Sequence, residues 1–184
     1  MKNKLFAVAD CIYATEIKRI RKKLNLTQAE FAELVGVSKK TIERWETLEP
    51  DKEITGPIVT LVKLLKEYPQ SSDDLKIPEK QYSMRLWYMY ENEICTIIDV
   101  DEPERRVNIY NYTRNHMFRA FGREEKPTYE QYEEFLESRC FPRTRDKMKL
   151  MLRELDIPFY EPLMIIEKTE GRMEEDNFWI RIER

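Results

Sequence analysis

Thr27-Gln-Ala-Glu-Phe-Ala-Glu-Leu-Val-Gly-Val-Ser-Lys-Lys-Thr-Ile-Glu-Arg-Trp-Glu46 holds two helix starts separated by one tight turn. Thr27 and Ser38 each offer a hydroxyl to the unpaired backbone N–H groups of a first helical turn. Glu30, three residues after Thr27, completes a capping-box pattern. Between the helices, Gly36 is placed to take the positive φ that a short helix-to-helix turn requires. Phe31, Ala32, Leu34, Val35, Val37, Ile42 and Trp45 recur at helical spacing, which predicts one buried stripe on each helix. Ala32 falls at the closest approach, where a larger side chain would hold the helices apart.

What remains outward on the second helix, 38–46, is Lys39, Lys40, Thr41, Glu43 and Arg44. On an arbitrary amphipathic helix such charges read best as a solvated face. Beside a capped, glycine-turned partner they instead suit a short rod inserted into a DNA major groove.

Gln28, Ala32, Gly36, Val37, Ser38, Ile42, Trp45 and Glu46 resemble the helix-turn-helix signature of the Cro/XRE class, which includes the lambdoid phage repressors and many antitoxins. The resemblance spans roughly residues 14 to 67. It implies a bundle of four or five helices that binds double-stranded DNA, with the helix at 38–46 as reader. By the same resemblance Gln28 contacts the DNA backbone, and Lys39, Lys40 and Arg44 contact bases. Ser38, Thr41 and Glu43 complete the expected DNA-facing set. Arg21 and Glu46 match an ion pair bridging the first and third helices, a structural role. Thr55-Gly56-Pro57, leading into Ile58, Leu61, Val62, Leu64 and Leu65, is similar to the version in antitoxins of the HigA and MqsA sort.

The formal net charge of −3 argues against nucleic acid as a partner until its distribution is considered. Residues 1–70 carry 13 Lys and Arg against 10 Asp and Glu, and residues 71–184 carry 19 against 25. The basic share lies with the two capped helices, where phosphates would need it. The excess is small, so tight binding is expected to need a homodimer or another partner.

Length and composition suit an α+β chain of two domains: 184 residues, 41% of them hydrophobic. The pattern Tyr13, Ile17, Ile20, Leu24 predicts a first helix from Ile12, with 47–54 a loop and Pro57 opening a fourth helix. Domain boundaries are expected at 1–68 and 82–184, joined by a Pro-, Ser- and Asp-rich linker over 69–81. The arm 1–11 carries an apolar Leu5-Phe6-Ala7-Val8 cluster suited to packing on the bundle or on a second subunit. Arg85–Tyr90, Ile94–Val100 and Val107–Tyr112 read as an antiparallel meander. Tyr88, Tyr90, Tyr110 and Tyr112 on it suit either a packed sheet face, the better reading, or an RNA-stacking platform. Helices are expected at 129–140 after Thr128, at 145–155 after Thr144 and from Pro162 to Thr169, then a strand at 178–182.

Glu134–Arg145 with Asp176–Trp179 is similar to a short region from HipA-type toxin neighbourhoods. That resemblance implies an accessory or toxin-binding domain. Arg139, Arg143 and Arg145 suit either an anion pocket or, better, surface pairs with Glu134, Glu137 or Asp146. No catalytic residue, metal site or cofactor is expected. Cys11, Cys95 and Cys140 are unclustered, His116 reads as a loop or surface residue, and the four glycines form no phosphate loop. No signal-like or membrane-spanning run appears, so a cytoplasmic protein is expected. The readings left beside a DNA-binding regulator are an interaction module that has lost DNA binding and an enzyme targeted by the helix-turn-helix.

Overall fold

The computed structural model describes residues 4–144 and 146–184. It divides at Ile77/Pro78 into two compact units.

The first unit runs β1 (Ile12–Tyr13), α1 (Ala14–Lys23), α2 (Gln28–Leu34), α3 (Lys39–Glu46), β2 (Glu53–Ile54), α4 (Pro57–Glu67) and α5 (Gln70–Asp74). Ile17, Ile20, Phe31, Ile42 and Val62 form its fully buried centre, with Ala32 beside them. Two expectations change at its edge. Ile12 does not begin the first helix, and 47–54 is not all loop, because Ile12 pairs with Ile54 in a two-stranded antiparallel clamp. Both isoleucines thereby enter the core, while Tyr13, expected on the apolar face of the helix, is exposed. On α4 the buried set is Ile58, Val59, Val62 and Leu65, and Leu64 faces outward. Within the stretch read as a linker, residues 70–74 are helical and Ser72 is buried, its hydroxyl donating to the Pro69 carbonyl at 2.9 Å. A Pro-led run of polar residues needs few apolar positions to make one turn against α4, so periodicity does not reveal it.

The second unit runs β3 (Met84–Tyr90), β4 (Glu93–Asp101), β5 (Arg106–Asn111), α6 (Tyr129–Ser138), α7 (Met148–Glu154), α8 (Pro162–Thr169) and β6 (Phe178–Glu183). All four strands join one antiparallel sheet in the order β5-β4-β3-β6. The expected meander is present, and the last strand closes its other side. Leu86, Tyr88, Ile98, Val100 and Ile180 on one face pack with Tyr132, Phe135, Leu136, Ile165 and Ile166 of the helices. Strand alternation separates the four tyrosines that the sequence grouped together. Tyr88 and Tyr90 join this core, and Tyr110, the register partner of Ile97, lies on the opposite face, so no common platform exists.

α6 begins as expected, its Thr128 hydroxyl and Gln131 carboxamide forming a reciprocal capping box. α7 is shorter than expected. It starts after Lys147, which has φ 66° and no side-chain cap, rather than after Thr144, and Leu150 is exposed where an inward position was expected. Arg145, the expected first residue of that helix, lies outside the described residues, as do Met1 to Asn3 of the arm.

Candidate nucleic-acid interface

Three local devices position α3. The Ser38 hydroxyl accepts from the Thr41 backbone N–H at 3.2 Å and lies 2.9 Å from the Thr41 hydroxyl. Gly36, at φ +70°, turns the chain out of α2, and Val37 N–H donates to the Ala32 carbonyl at 2.9 Å. At the far end Thr47 donates its hydroxyl to the Glu43 and Arg44 carbonyls at 3.0 and 3.1 Å. Burial of Ile42 and part of Trp45 then fixes the rotation of the helix. Lys39, Lys40 and Arg44 are left exposed.

The rest of the expected DNA-facing set is partly committed to the protein itself. Lys39 Nζ lies 3.4 Å from the Glu43 carboxylate, an exposed i,i+4 pair, so the face presents Lys40 and Arg44, with no ion-pair partner among the described residues, together with this pair. Ser38 and Thr41 spend hydroxyl capacity on the cap. Gln28, expected to meet the DNA backbone, donates from Nε2 to Glu46 Oε2 at 3.0 Å. A carboxamide nitrogen carries two hydrogens, so a phosphate contact from Gln28 would use the second.

Glu46 is the hub of this arrangement. Arg21 Nε and Nη2 donate to its two oxygens at 2.6 and 2.9 Å, and Arg21 Nη1 donates to the Leu26 carbonyl at 2.9 Å. The side chains are 13% and 5% exposed, so the pair is shielded and serves to tie α1, α2 and α3 together. Arg21's hydrogen bonds, followed by that from Gln28, hold the Glu46 carboxyl below its ordinary range against the opposing effect of burial. The bond from Gln28 to Glu46 was not foreseen from the sequence. It joins residues 18 positions apart across the turn, and no local spacing signals it.

Of the three arginines considered for an anion pocket, Arg139 is buried and spends its donors within the fold. It makes two bonds to Asp176 at 2.7 and 3.0 Å, two to the Gly171 carbonyl and one to that of Phe178. Arg143 pairs with Glu137 at 2.6 Å and Arg145 lies outside the described residues, so Arg139 and Arg143, the two described members, are each committed to the protein's own acceptors.

Residues 17–55 match the family model described as helix-turn-helix. No curated protein matches the chain. The likeness of the C-terminal half to a HipA-neighbourhood region is not among the matches. Residues 17–55 thus carry a helix-turn-helix of Cro/XRE type, with α2 and α3 as the motif. The chain carries a DNA-binding module of that type followed by an α+β unit, and no helix among the described residues is long and apolar enough to cross a membrane.

Proposed function

We propose that the protein is a sequence-specific transcriptional regulator that reads its operator through α3. The carrying observation is that Lys39, Lys40 and Arg44 stand exposed on a helix whose other side is locked into the bundle core. Such a helix enters the major groove with little conformational entropy left to lose. Arg44 and Lys40 are the base readers in this proposal, because Lys39 is shared with Glu43. As a homodimer, the protein would set two reading helices about 34 Å apart, one turn of B-DNA, on a palindromic operator. The proposed role is repressor or antitoxin of a small operon. The second unit, which carries the acidic share of the charge, then takes a toxin or other protein partner and has no catalytic role.

The test is selection of bound sequences from a random DNA pool, followed by binding of the Arg44→Ala variant. The selected site is expected to lose about 1–3 kcal/mol of affinity relative to random DNA. Equal losses on both would remove the base-reading role of Arg44. Failure of the selection to enrich any sequence would favour an interaction module without DNA binding.

A further inference from the structure

The helices of the second unit pack on one face of its sheet, and the opposite face holds side chains that belong to neither core. Register puts Tyr110, Ile97, Trp87 and Arg181 in one row across that face, and Met89 with Trp179 in the next. Ile97 is fully buried, while Trp87, Met89, Tyr110 and Trp179 are half-buried. Trp, Tyr, Met and Arg are the residue types that concentrate at protein interfaces, and Trp, Tyr and Arg supply most of their binding energy. A sheet face of that composition, outside any core, marks an interaction site.

Charge on this face indicates what covers it. Arg85 is spent inside the fold, giving two bonds to Asp99 at 2.6 and 2.8 Å and one to the Pro78 carbonyl. Lys80 pairs with Glu183, and Arg172, 5.0 Å from the centre of the Trp179 ring, pairs with Glu170. Arg181 is exposed and has no ion-pair partner among the described residues. Its guanidinium lies 4.4 Å from the centre of the Trp87 ring, whose indole N–H donates to Glu183 at 3.1 Å. Stacking thus holds a planar set of donors in place for bidentate capture of a carboxylate. A nucleic-acid strand fits less well. The guanidinium already occupies the ring on which a base would stack, and residues 78–184 carry 18 Lys and Arg against 23 Asp and Glu, a balance that repels a polyphosphate. One carboxylate set among apolar side chains complements the single guanidinium instead.

We infer that this helix-free face of the second unit is the docking surface for a protein partner, which lays an apolar segment across Trp87, Met89 and Trp179 and sets an Asp or Glu carboxylate on Arg181. The inference rests on the reading that gives the second unit a protein partner, and it names where that partner binds and the side chain it brings. Its test uses no DNA, so the docking surface and the DNA reading can fail separately.

Peptides are selected from a random displayed library on the full chain, and the enriched sequences are titrated against the wild type, Arg181→Gln and Arg181→Glu. Circular dichroism spectra confirm that each variant folds, as expected for an exposed position. Enriched peptides are expected to combine apolar residues with an Asp or Glu and to bind at about 10 μM. They are also expected to shift the tryptophan emission, two of whose three sources, Trp87 and Trp179, lie on this face. Arg181→Gln is expected to weaken them about tenfold and Arg181→Glu about 100-fold. Replacing the peptide's acidic residue by Lys is expected to restore binding to Arg181→Glu, because the cross-pair re-forms with its signs exchanged. Peptides that bind but are indifferent to Arg181 overturn this surface while leaving a protein partner for the second unit in place. A selection that enriches nothing overturns the inference, as does a poly(U) or poly(dT) strand that shifts the same emission where peptides do not.

Discussion

Glu46 shows how much one side chain contributes to the geometry of the reading helix. It receives two donors from Arg21 and one from Gln28 while almost fully shielded, so its removal leaves a buried guanidinium without its counter-charge. Glu46→Gln is expected to cost on the order of 3 kcal/mol at neutral pH by urea unfolding. The pH dependence follows from the sign of its shift. The folded-state carboxyl is held below its unfolded value, as are those of Glu16, by Lys66, and Asp176, by Arg139. Such groups contribute stability that is complete above about pH 4.3 and is lost as the pH falls through their folded values. Thermal melts from pH 7 to pH 3 are expected to show this loss, and Glu46→Gln to show a smaller one. Tyr132 is the opposite case. It is 1% exposed, and its hydroxyl finds no partner among the described residues, so the site carries a desolvation cost with no compensating bond. Tyr132→Phe keeps the ring packing and is expected to be neutral or to stabilise by about 1 kcal/mol in the same unfolding measurement.

Among the elements, the turn between α2 and α3 sets the angle at which the cations are presented. Gly36 has open space where a Cβ would go, so the constraint on it is its backbone conformation, φ +70°. Gly36→Ala is therefore expected to destabilise by about 1 kcal/mol through left-handed strain alone, with no packing loss. A calorimetric melt measures that cost, and a loss of 3 kcal/mol or more would mean that the turn rearranges. The same logic at larger size explains Gly171, at φ +59°, where an added Cβ would meet Ile180 and Arg139 side chains at 3.3 and 3.4 Å. There the conformation favours glycine, and an added Cβ would in addition press on the Ile180 side chain.

At the scale of the molecule, the division at Ile77/Pro78 separates the basic share of the charge from the acidic share. Each unit has its own core, and the reading helix and its ion-pair brace both lie before Ile77. A fragment of residues 1–77 is thus expected to fold and to bind the selected operator with the salt dependence of the whole chain. The slope of log K against log salt is about −0.9 per phosphate neutralised, and the cations responsible are retained. A fragment with a markedly shallower slope would show that cations of the second unit also contact DNA.

Much of the DNA-binding unit is written in local pattern. Thr27 and Glu30, Gly36, and Ser38 with Thr41 act within a few residues of one another, so their spacing alone specifies two capped helices and the turn between them. The meander and the Thr128 cap were legible for the same reason. Contacts between residues far apart in sequence were not, apart from the Arg21–Glu46 pair that the family resemblance supplied. Ile12 pairs with Ile54, Gln28 turns to Glu46, Arg139 is sealed against Asp176, and the tyrosines of β3 and β5 part to opposite faces. In each case a side chain with several plausible partners was assigned one by the packing of distant segments. Local spacing determined which elements form and which face of α3 stays outside, and only the tertiary structure decided the partners of Gln28 and the burial of Arg139, because burial depends on neighbours that no window of sequence contains.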